Sequence, residues 1–93
     1  VPGESRWLLR IQIFVESTPP GDEDARAVRA VEAAAGRFPG QVEVEALPLD
    51  GPEGSELGLQ MSPTIMADGM AISVGGPISA GRLKRYIEAQ LNG

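Results

Sequence analysis

Two short stretches hold most of the side chains that could do chemistry. In the first, Ser17-Thr18-Pro19-Pro20-Gly21 runs directly into Asp22-Glu23-Asp24, placing two hydroxyls just ahead of three carboxylates. Carboxylates this close could hold a hard cation or share acid–base work. Adjacent helical residues point in different directions, however, no glycine-spaced calcium loop surrounds them, and no further carboxylate cluster completes a shell. Free amides at a helix start could hold an anion, but the three acids already occupy that field, so capping by Asp22 or Thr18 is the stronger expectation. The hydroxyls have no histidine to activate them, because the chain contains none, and it contains no cysteine either. No catalytic residue, metal site or cofactor is expected, and an enzymatic role is the weaker reading.

The second stretch is Met61-Ser62-Pro63-Thr64, followed at a distance by Gly75-Gly76-Pro77. The glycine pair lacks the loop–helix pattern of a phosphate-binding motif. Met61, Met66 and Met70 suggest an adaptable apolar surface near this stretch, although methionine is more often core filler. Pro63 stands out because a proline opening a strand fixes the local backbone.

The composition closes off further classes. Without cysteine there are no disulfides, thiolate metal sites or thiol chemistry among these 93 residues. A net charge of −5 argues against a nucleic-acid partner, which needs a basic face. Eleven of the thirteen acids lie between Glu16 and Asp68, opposed there by Arg26, Arg29 and Arg37, whereas Arg82, Lys84 and Arg85 make the last helix locally basic. A solvated surface explains that asymmetry more simply than partner steering. No apolar run reaches the 18 or so residues of a membrane span. The polar start Val1-Pro2-Gly3-Glu4-Ser5 does not read as a signal peptide, and an initial valine suggests a processed or excised chain. The expectation is one domain over residues 1–93, cytoplasmic, and monomeric or weakly dimeric.

The elements that must position these residues follow from pattern. Trp7 to Glu16 reads as a central strand, with Trp7, Leu9, Ile11, Ile13 and Val15 on one face and Leu8 and Phe14 on the other. The prolines at 19 and 20 break it. A helix is expected from about Asp22 to Gly36, with its acids in the first turn and an Asp22–Arg26 pair. Gln41 to Leu47 alternates Val42, Val44 and Ala46 with Glu43 and Glu45, as an edge strand does. Glu53 to Gln60 is a short helix weakened by Gly54 and Gly58. Thr64–Ala67 and Ala71–Val74 form a hairpin about Asp68-Gly69. A last helix begins at Ser79 as N-cap, stapled by Ile78 and Leu83, with Leu83, Tyr86, Ile87 and Leu91 as its apolar stripe. The order β-α-β-α-β-β-α gives an α/β fold with a mixed four-stranded sheet flanked by helices.

In this order the chain resembles the thioredoxin-like superfamily in its minimal thioredoxin or glutaredoxin form, from Trp7 to Leu91. Three segments carry the resemblance: Arg37-Phe38-Pro39-Gly40 leading into Gln41-Val42-Glu43-Val44, Met61-Ser62-Pro63-Thr64-Ile65 before Asp68-Gly69, and Gly75-Gly76-Pro77. The resemblance implies a cis bond before Pro63 and a groove bordered by Gly75 and Gly76. It also implies a Cys-x-x-Cys pair near Thr18 and Gly21, or one residue earlier at Ser17 and Pro20, and neither register holds sulfur. A hydroxyl cannot run thiol–disulfide exchange.

The leading reading is a redox-inactive thioredoxin-like domain. It would bind a protein or an extended peptide through a groove framed by Ser17, Thr18, Pro19, Pro20, Met61, Ser62, Pro63, Gly75 and Gly76. The alternative is a thiol–disulfide oxidoreductase whose cysteines have been replaced in this sequence or are supplied by another segment.

Overall fold

The computed structural model describes residues 9–16, 20–76 and 78–92. Trp7, Leu8 and the start expected for the first strand lie outside them. The elements are β1 (Leu9–Val15), α1 (Asp22–Ala35), β2 (Val42–Pro48), α2 (Pro52–Leu57), β3 (Thr64–Ala67), β4 (Met70–Val74) and α3 (Ala80–Asn92). The sheet order is β2-β1-β3-β4. β1 runs parallel to β2 through Leu9↔Val42 to Val15↔Pro48 and antiparallel to β3 through Ile11↔Ala67 to Phe14↔Thr64. The expected α/β architecture with a mixed four-stranded sheet is the one observed.

The sequence of β1 explains its central place. Leu9, Ile11, Ile13 and Val15 are buried against Ala27, Val31 and Ala34 of α1 and Leu83 and Ile87 of α3. On the opposite face Phe14 is fully buried too, and its strand neighbours Thr64 and Met66 are buried. The strand is apolar along one face and at Phe14 on the other, where Arg10 is exposed and Gln12 half-buried, and both of its edges are paired. Small alanines on α1 let that helix approach the sheet closely while Leu83 and Ile87 fill the space beside it.

The two sheet edges are blunted in different ways. On β2, Glu43 and Glu45 flank Arg10 of β1, with Arg10 Nη2 donating to Glu45 Oε1 at 2.9 Å and Arg10 Nε 3.8 Å from Glu43. The bond from Arg10 holds the Glu45 carboxyl below the usual glutamate range and raises the Arg10 guanidinium in return, although both groups are open to water. On β4, a register shift opposite Ile65/Met66 leaves Ile72 as an extra residue, a bulge that disturbs an edge otherwise free of charge.

Local details correct several expectations. Ala46 was expected on the buried face of β2 but is exposed, while Val42 and Val44 pack on the core, so the helical layer covers only the first half of the strand. The second helix stops at Leu57 rather than Gln60, because Gly58 takes a left-handed φ of 71° and its N–H bonds back to the Gly54 and Ser55 carbonyls. The N-cap of α1 is Gly21, with no side-chain cap bond, so Asp22 is the first helical residue and does not cap. No Asp22–Arg26 ion pair forms among the described residues. Met66 fills the core, as methionine more often does, while Met61 and Met70 are exposed. The hairpin turn uses positive φ at both Asp68 (48°) and Gly69 (86°), and β4 begins one residue earlier than expected, at Met70. At α3, Ser79 Oγ accepts the Arg82 N–H at 3.2 Å, the expected N-cap bond.

Candidate functional site

The site is assembled at the end of the sheet where β1 stops, β3 starts and β4 stops. Phe14 is paired with Thr64, and Thr64 with Val74, so the segments flanking these three residues converge. Met61, Ser62 and Pro63 lead into β3, and Gly75 and Gly76 leave β4. The Ser62–Pro63 peptide bond is cis. Pro63 is buried beneath the rim, and its carbonyl accepts the Gly75 N–H at 2.9 Å. The Thr64 hydroxyl is buried and donates to the Met61 carbonyl at 2.6 Å. Ser73 Oγ donates to the Gly76 carbonyl at 3.1 Å, tying down the opposite wall.

Gly75 has a structural reason to be glycine. Its φ is 70°, and a Cβ there would stand 2.6 Å from Met61 Cε and 3.0 Å from Met61 Cβ. The Met61 side chain thus lies against the Gly75 backbone while remaining 55% exposed, and Val74 beside it is 54% exposed. These residues make an apolar surface next to Ser62. The Ser62 N–H and C=O make no hydrogen bond to any described residue, and the residue is half-buried.

Of the residues expected at a groove, Met61, Ser62, Pro63, Gly75 and Gly76 come together in this way. Pro20 is half-buried just before Gly21. Ser17, Thr18 and Pro19 lie outside the described residues.

One part of the neighbourhood was not anticipated. A cavity of about 200 Å³ is lined by Ser62 together with Glu16, Gly21, Asp22, Glu23 and Asp24. Asp24 is buried, and its Oδ2 accepts the Glu16 N–H at 2.8 Å, joining the end of β1 to the first turn of α1. Sequence pattern marks Asp22, Glu23 and Asp24 as dipole-complementing acids. Only the fold shows that they open toward Ser62, some forty residues later. Among the described residues no cluster of three or more potential metal ligands is placed to hold an ion, and no helix is long and apolar enough to cross a membrane.

No protein-family model and no curated protein sequence matches the chain. Solved structures do resemble it. Chloroplastic thioredoxin z is 21% identical, with a TM-score of 0.77 over 96% of this chain and 83% of its own. A malarial protein is 12% identical, with a TM-score of 0.70 over 90% of this chain and 98% of its own. Thioredoxin O2 from Arabidopsis thaliana, in its oxidized state, is 15% identical, with a TM-score of 0.63 over 91% of this chain and 76% of its own. The chain therefore has the thioredoxin fold, and it has that fold without a single cysteine in its 93 residues.

Proposed function

We propose that this chain is a thioredoxin-fold interaction module without thiol chemistry of its own, binding a protein segment or extended peptide across Met61-Ser62-Pro63 and Gly75-Gly76. The observation that carries the reading is the state of Ser62. Its backbone N–H and C=O have no partner among the described residues, while the neighbouring Met61 and Pro63 carbonyls are both taken. With no partner among the described residues to displace, both groups are available to an extended backbone laid alongside, which satisfies them at once. Exposed Met61 and Val74 supply apolar contact beside those groups. No sulfur is available for exchange.

The test is a titration of the isotopically labelled domain with a pool of short extended peptides, followed by amide NMR. Binding in the groove moves the Ser62, Thr64, Gly75 and Gly76 amides, and the response weakens several-fold in the Met61→Ser/Val74→Thr variant. Both substituted side chains are more than half exposed, so the fold is retained. Shifts confined to other surfaces would sink the reading. In a thiol–disulfide exchange assay the chain alone is inert.

A further inference from the structure

We propose that the peptide this groove selects is basic: an extended segment with an apolar side chain against Met61 and Val74 and a lysine or arginine reaching the cavity on the other side of Ser62. The proposal rests on the groove reading above and adds to it the chemistry of the occupant.

Apolar surface and negative charge meet at one place. Ser62 is shared by two surfaces: the apolar one made by Met61, Val74 and Gly75, and the cavity whose wall carries Glu16, Asp22, Glu23 and Asp24. Among the described residues no cation lines that cavity, and Arg26, one turn along α1 from Asp22, forms no ion pair with it. Asp24 is occupied internally, holding the Glu16 N–H. Glu16, Asp22 and Glu23 are exposed, and none of them is in an ion pair among the described residues. The positive side chains gather elsewhere: Arg37 and Lys84 line a separate cavity between α1 and α3. An acidic peptide laid over Ser62 would therefore meet like charge, whereas a basic one meets its complement in the cavity that Ser62 lines. Charge arranged in this way sets partner selection and encounter rate more than raw affinity.

The experiment compares three peptides sharing one apolar centre, flanked by lysine and arginine, by glutamine, or by glutamate. Each is titrated into the wild-type domain and two double variants at low and high salt. Asp22→Asn/Glu23→Gln removes charge at the cavity. Glu32→Gln/Glu88→Gln removes the same charge from exposed positions on α1 and α3 outside it. At low salt the basic peptide binds about tenfold more tightly than the neutral one. That ratio falls about fivefold in the cavity variant, stays near wild type in the control, and shrinks at high salt. If basic and neutral peptides bind alike, or both variants lose the preference equally, the charge inference is overturned, while the groove reading stands so long as Ser62 and Gly75 amides move. If no peptide moves those amides, the groove reading falls and takes this one with it.

Discussion

Asp24 has two roles at the residue scale. It sits in the first turn of α1, where a carboxylate complements the helix dipole. It also accepts the Glu16 N–H and so fixes the end of β1 to the start of the helix. At 6% exposure it cannot be replaced there by water without rearrangement. Asp24→Ala removes the carboxylate that accepts the Glu16 N–H and should cost about 1–3 kcal/mol of unfolding free energy, measured by chemical denaturation. Asp24→Asn keeps an acceptor and should cost clearly less. Equal losses in the two variants would mean that charge, and not the bond to Glu16, matters. The local pattern gives Asp24 its place in the helix, but its partner lies across an intervening loop, and no periodicity of apolar residues reports such a bond.

At the scale of elements, glycine in α2 departs from helix propensity. Gly54 is buried, and a Cβ built on it would overlap the Leu49 carbonyl. Alanine ordinarily stabilises a helix interior by about 1 kcal/mol relative to glycine. Here Gly54→Ala should instead lower stability by more than that and shift α2 away from the turn after β2, visible in a urea melt and in the Leu49 amide resonance. A stabilised variant would place α2 further from Leu49. Read from sequence, Gly54 weakens a helix; read from structure, it is what lets the helix dock. The elements that pattern does locate are those with chemical punctuation: Pro63 and Asp68-Gly69 bound β3, Pro20-Gly21 precedes α1, and Ser79 opens α3. Ala46 and the end of α2 escape pattern because they depend on how far the helical layer reaches and on a left-handed glycine. In the candidate site, the Pro63 and Gly75 segments are legible as motifs. That Glu16, Asp22 and Glu23 face Ser62 is not, since the segment before β3 reaches them only once β1 and β3 pair.

At the scale of the molecule, one core joins β1, α1 and α3, and α3 is held to it by Leu83 and Ile87, both without exposed surface. Ile87→Ala should cost about 2–5 kcal/mol, a large share of the 5–15 kcal/mol typical of a small domain. Urea denaturation reads this as a lower midpoint with an unchanged slope. A loss under 1 kcal/mol would show that α3 is not anchored there. The central position of β1 has a further consequence in time. It precedes the other three strands of its sheet in the chain, and Ile11 pairs with Ala67 more than fifty positions on. At the usual pace of translation that interval lasts roughly 3–11 seconds. Throughout it the face formed by Leu9, Ile11, Ile13 and Val15 waits without the antiparallel neighbour of its strand, an unpaired edge open to wrong pairing until β3 has emerged.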